Sequence, residues 1–197
     1  MKVYKVLGEN GEPVNGGHGK WSLPNRGKPG KWMPNIEGKL VPCENGYHLC
    51  RRDDLITWLG PTIYEAEYLG DIVEADEKVV VRQARLIRKL NWNKRTARLF
   101  ACDCAEWASS LVEEPDQLSI EAVRVARLVA AGQAKRQELA AAGAFTAAWA
   151  ARAAARAATA AWAARAAAWA ATAAGAAGEA AREYMTDRLM EYLEGRA

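Results

Sequence analysis

Cys43, His48 and Cys50 form the tightest cluster of chemically capable side chains in the sequence, spaced Cys-x4-His-x-Cys. With Cys102 and Cys104 they could offer soft ligands to zinc, which prefers thiolate and imidazole in a tetrahedron. The spacing is not that of a zinc ribbon or finger, and residues two apart on a helix, as Cys102 and Cys104 would be, point away from each other. Small buried cysteines are the competing reading, and four thiols in 197 residues are too few for a disulfide scaffold. No cofactor is expected beyond this zinc candidate. His18 and His48 are the only histidines, so no Ser/His/Asp or Cys/His triad is indicated.

Glu65-x-Glu67 places two carboxylates on one face of a strand, shortly after His48 and Arg51. Paired acids of this kind serve ADP-ribosyltransferases, yet any amphipathic strand produces them. Charge is divided sharply around this point. Residues 65–77 carry Glu65, Glu67, Asp71, Glu74, Asp76 and Glu77, whereas Lys78 to Cys102 holds no acid and eight bases. Those bases, Lys78, Arg82, Arg85, Arg88, Lys89, Lys94, Arg95 and Arg98, with Trp92 beside them, could line a nucleic-acid groove. Cross-strand pairing of an acidic with a basic strand explains the same pattern. Trp21 and Trp32 stand alike in the echoed segments GKWSLPN and GKWMPN. They could form an aromatic clamp with Lys20 and Lys31, or cap a small β core.

The largest regularity lies further on. Thr146 to Ala171 reads TAAWAARAAARAA and then TAAWAARAAAWAA, with alanine at 18 of 26 positions. Alanine orders into a helix at no side-chain entropy cost, so the run reads as helical. At about 100° per residue, thirteen residues overshoot whole turns by roughly 220°, which sends Trp149 and Trp162 to nearly opposite sides. Large groups that wind around a helix need neighbours on several sides, which points to a bundle or a bend. Arg152, Arg156 and Arg165 interrupt the run and disfavour a membrane span. Trp149, Arg152, Arg156, Trp162, Arg165 and Trp169 are the candidate partner-binding set, weighed against a core role for the tryptophans and a nucleic-acid ladder.

These groups need positioning elements. Lys2 to Leu7 reads as a first strand, residues 8–42 mostly as turns with two short strands or arms at 19–25 and 30–35 joined by NRGKP, Tyr47 to Cys50 as a short strand and Arg52 to Leu59 as a short helix. Thr62 to Leu69 and Lys78 to Arg88 alternate as strands. Asn93 caps a helix to about Trp107, Ser119 caps a second that Gly132 ends, and Gly195 follows a third. The expected fold is α+β: a small, mostly antiparallel β domain over 1–90, then an all-α, Ala-rich helical domain over 91–197. The net charge of +3 singles out no acidic partner. No signal peptide or stop-transfer segment is evident, so the expected address is the cytoplasm.

Residues 91–197, from NWNKRTARLFACDCAEW through the repeats to EYMTDRLMEYLEG, resemble a bacterial and phage family of immunity proteins from polymorphic toxin systems. LVPCENGYHLCRR is similar to a phage and bacterial domain with a C-x-x-G-aromatic-H-x-C pattern, matched by Cys43, Gly46, Tyr47, His48 and Cys50. That second likeness assigns those residues no role. The first implies a non-catalytic intracellular inhibitor that occludes a protein partner, a toxin or effector. A nucleic-acid-binding module using Arg82 to Arg98 is the alternative, and an ADP-ribosyltransferase-like enzyme using Glu65 and Glu67 comes third.

Overall fold

Period-two alternation in the β-branched runs on either side of Asp76-Glu77 makes a long hairpin, and the rest of the sheet assembles on it. A computed structural model of the chain describes residues 1–111, 113, 114, 117–135, 137 and 178–197. The Ala-rich run, with Trp149, Arg152, Arg156, Trp162, Arg165 and Trp169, lies outside the described residues. The fold is mixed α+β, and the chain divides into two units, Met1–Asn91 and Trp92–Ala197.

In the first unit β1 (Val3–Leu7), β2 (Tyr47–Leu49), β3 (Thr62–Ala75) and β4 (Lys78–Lys89) form one antiparallel sheet in the order β1-β3-β4-β2. Two register shifts bend the β3–β4 hairpin. At the second, Gly70 (φ +78°) and Asp71 bulge opposite Arg82, a position that a residue with a Cβ would strain. The bending brings the sheet's outer strands together. The amide N–H of Tyr4 donates to the Cys50 carbonyl at 2.8 Å, and Cys50 returns the bond at 2.8 Å. One pair of bonds thus joins β1 to the residue after β2 and closes the four strands around a core of Val3, Leu7, Trp21, Leu49, Tyr64, Val79, Val81 and Leu86.

Beyond β2, the free edge of β4 is covered by an extended segment from the turn-rich stretch. Gly30, Met33 and Ile36 donate their amides to the carbonyls of Leu86, Ala84 and Arg82 at 2.8–3.0 Å. Three residues of the segment advance for every two of β4, so it is an extended cover and not a fifth strand. The expected helix at Arg52 is a 3-10 helix, Arg52–Trp58. Arg51 holds it, donating from Nε to Asp54 at 2.7 Å and from Nη2 to the Ala75 and Asp76 carbonyls at 2.8 Å.

The second unit contains, among the described residues, α1 (Lys94–Ser109), α2 (Gln117–Ala130) and α3 (Gly178–Glu194). Asn93 caps α1 as its sequence implies, its side chain accepting from the amides of Arg95 and Thr96. The second helix begins at Gln117, before Ser119, because glutamine extends a helix readily and Ser119 falls within its first turn. Gly132 (φ +74°) and Gly195 (φ +71°) end α2 and α3 as left-handed caps. Asp103, only 5 % exposed, ties the three helices: it accepts from Arg127 on α2 (2.6 Å) and from Arg188 (2.6 Å) and Tyr192 (2.7 Å) on α3. No helix among the described residues is long and apolar enough to cross a membrane.

Candidate functional site

Lys5 sits where a lysine is least expected. Its strand, Val-Tyr-Lys-Val-Leu, is covered on both faces: Val3, Tyr4, Val6 and Leu7 are all buried. Alternation puts Lys5 on the same side as Val3 and Leu7, which belong to the sheet's core. The ammonium therefore points inward. It lies 5.1 Å from the centre of the Trp21 ring and donates to the His48 carbonyl at 2.8 Å. Desolvation lowers its pKa from 10.5 to about 8, and the nearby Cys50 offsets this only in part.

Lys5 opens onto a cavity of about 500 Å³, a size suited to a small ligand. Six stretches distant in sequence build it: β1, the loop 13–18 with Trp21, Ile36 of the segment covering β4, the stretch Cys43 to Cys50, Trp58 of the 3-10 helix, and Lys78 at the start of β4. Trp21, Tyr47 and Trp58 give it aromatic walls, with Trp21 edge-on to Tyr47 at 5.5 Å. Lys78 is the second cation, 5.1 Å from the Trp58 ring centre, and Trp58 is fixed by donating from Nε1 to the Glu77 carbonyl at 2.9 Å. Glu44 is the one acid in the lining. Two ammonium groups and a single carboxylate leave the lining cationic, which suits an anionic group flanked by flat apolar surface.

His48 links the two lysines. Its Nε2 accepts the Cys43 amide at 2.8 Å, so the neutral ring carries its proton on Nδ1. Burial, then Lys5 and Lys78, push its pKa down to about 4, and the ring is neutral at physiological pH. Lys78 Nζ stands 3.1 Å from Cys43 Sγ. Cys43 is exposed and adopts φ +67° as the third residue of the tight turn closed by the Glu44 amide donating to the Val41 carbonyl at 3.1 Å. Cys50 is buried, and burial pushes its thiol up to about 12.

Of the zinc candidates, Cys43, His48 and Cys50 line one cavity. The Nε2 lone pair of His48 is engaged by an amide, Cys43 faces an ammonium, and no group of three His, Cys, Asp or Glu side chains among the described residues could hold a metal. Cys102 and Cys104 belong to the second unit; both are buried on α1, and burial raises Cys102 to about 11.

The charge division is resolved mainly by cross-strand pairing. Arg88 meets Glu65 at 2.7 Å, Arg85 pairs with Glu67, and Arg82 meets Asp71 at 2.8 Å across the bulge. Arg82 also donates to the Ile36 and Gly38 carbonyls at 2.7 and 3.0 Å, which fastens the segment covering β4. Arg85 lies over Trp32, 4.5 Å from its centre. Glu65 and Glu67 are therefore held by arginines, and neither lines the cavity. Lys89 ends β4, while Lys94, Arg95 and Arg98 belong to α1 in the other unit, where Arg95 donates to the Ala130 carbonyl. The two echoed tryptophans part company: Trp21 lines the cavity, Trp32 does not, and Lys20 and Lys31 are exposed.

Sequence reasoning missed Lys5 and Trp58. A signal existed for Lys5, because alternation with Val3 and Leu7 sends its amine into the core; Trp58 had none beyond its residue type. Comparison with known proteins returned no match from any family model, curated protein or solved structure.

Proposed function

We propose that the chain is a non-catalytic binding protein whose β unit takes an anionic group of its partner into the Lys5–Lys78 cavity. The observation that carries this reading is the pair of ammonium groups set over tryptophan faces in a space with one acid in its lining. A desolvated cation is costly to hold, and an incoming carboxylate or phosphate would offset that cost. The resemblance to immunity proteins supplies the biological role: inhibition of a toxin or effector by occlusion, in the cytoplasm. On that reading a small β domain over residues 1–90 provides recognition. An all-α domain over 91–197, built on the Ala-rich repeats, adds contact surface through Trp149, Arg152, Arg156, Trp162, Arg165 and Trp169.

Affinity capture from host cells tests this, with the wild-type chain compared against Lys5→Met/Lys78→Met. The expected result is a partner retained by the wild type, lost from the double variant and released by moderate salt. A partner held equally by both proteins would place recognition elsewhere, and no partner at all would overturn the inhibitor reading.

A further inference from the structure

We propose that Lys5 is a covalent capture site, forming an imine with small aldehydes or ketones that carry an anionic group. The proposal goes beyond partner binding, because it assigns a reaction to one amine and needs no protein partner.

Three features of the cavity favour the chemistry. The amine of Lys5 projects from the middle of a doubly covered strand into a space large enough for a small molecule, so a carbonyl carbon can reach it. Among the described residues it has no carboxylate partner, and its direct hydrogen bond goes to a backbone carbonyl. A lysine desolvated in an apolar pocket is a setting in which amines become nucleophilic at neutral pH. Here the aromatic walls are Trp21, Tyr47 and Trp58, and Lys78 lines the same cavity. The titratable groups that line the cavity with it are Tyr47 and His48 of β2, Cys50 beside β1, Lys78 from β4, and His18, Cys43 and Glu44 from the loops. His48, held neutral, adds no competing positive charge at physiological pH.

The step balances without an oxidant or reductant. The Lys5 nitrogen adds to the carbonyl carbon to give a carbinolamine; the C–N bond then becomes C=N as the former carbonyl oxygen leaves as water with the two amine protons. Water returning to the cavity reverses it. Aromatic walls that limit water favour the imine, and Lys78 is placed to meet the ligand's anionic group.

4-Carboxybenzaldehyde with sodium cyanoborohydride provides the test, applied to the full chain at pH 7.5 and read by peptide mass spectrometry. A single reduced adduct is expected, on Lys5, at least tenfold ahead of any other lysine. Lys5→Arg, which keeps a cation in place, should lose that adduct. Lys78→Met should lower the adduct yield with the carboxylated probe towards that with benzaldehyde, removing the selection between the two. Labelling spread over the exposed lysines, or an unmodified Lys5, overturns the proposal. Binding of 4-carboxybenzoate, followed by tryptophan fluorescence, separates the two readings: binding without a Lys5 adduct removes the covalent step alone. The absence of both removes the small-anion cavity as well.

Discussion

Replacing Lys5 with methionine is expected to stabilise the β unit while abolishing ligand capture, the opposite of what loss of an ordinary structural residue does. A fall in pKa from 10.5 to about 8 corresponds to about 3 kcal/mol by which the folded environment disfavours the charged amine. Methionine is unbranched and of similar length, so it can follow the same path past Trp21 without a charge. Against this gain stands the lost 2.8 Å bond to the His48 carbonyl, about 1 kcal/mol. The net expectation at pH 7 is a gain of about 2 kcal/mol.

The pH dependence carries the sharper check. The unfolded chain keeps the Lys5 proton up to about pH 10.5, whereas the folded chain releases it near pH 8. Between those values the unfolded state binds more protons, so wild-type stability rises with pH, and the advantage of Lys5→Met should shrink. Urea unfolding at pH 7 and pH 10, followed by the methyl signals of Val79, Val80 and Val81, reads the β unit alone. A variant less stable than wild type at pH 7, or an advantage unchanged at pH 10, would refute the idea that Lys5 is held at a cost to stability.

Other substitutions probe the elements around this site and the second unit. Gly46→Ala should destabilise the β unit by more than about 1 kcal/mol, since Gly46 has φ +137° and an added Cβ would lie 2.3 Å from Val80 Cγ1; thermal unfolding measures it. Arg82→Met removes the guanidinium that fastens the cover on β4, so amide exchange at Met33 and Ile36 should accelerate by an order of magnitude or more while Val79–Val81 stay protected. Asp103→Asn should cost the helical unit about 2–3 kcal/mol in chemical denaturation, because Arg127 and Arg188 lose their shared carboxylate. The upper end of the range for broken buried pairs is not expected, as both guanidinium groups are about one-third exposed.

What the sequence revealed about the fold is what short-range patterns encode. Alternation marked β3 and β4, Asn93 and the closing glycines marked helix ends, and the contrast between Glu65-x-Glu67 and the arginines of β4 is settled by strand pairing. Chain closure between Tyr4 and Cys50 joins residues 46 apart through two backbone bonds, and no side-chain pattern announces such a contact. The covering segment from Gly30 to Ile36 was legible only in part: the echo of GKWSLPN in GKWMPN suggests a pair of short strands or arms, but nothing local shows that the second lays its amides on the edge of β4.

The candidate site shows the same divide between local and long-range information. Cys43, His48 and Cys50 drew notice because they are close in sequence, yet the folded chain uses the imidazole as an acceptor for a neighbouring amide and leaves the two thiols in opposite environments, one exposed and one buried. The groups suited to holding a ligand are Lys5 and Lys78, 73 positions apart in the numbering and separate in any local reading. Each stands over an indole drawn from another segment, Trp21 or Trp58. A surface lysine gains little from such company, because water already solvates it; a desolvated one depends on it. The cost of keeping the Lys5 ammonium in an aromatic cavity, with Glu44 the one carboxylate in the lining, is what an anionic ligand would offset on the proposed reading.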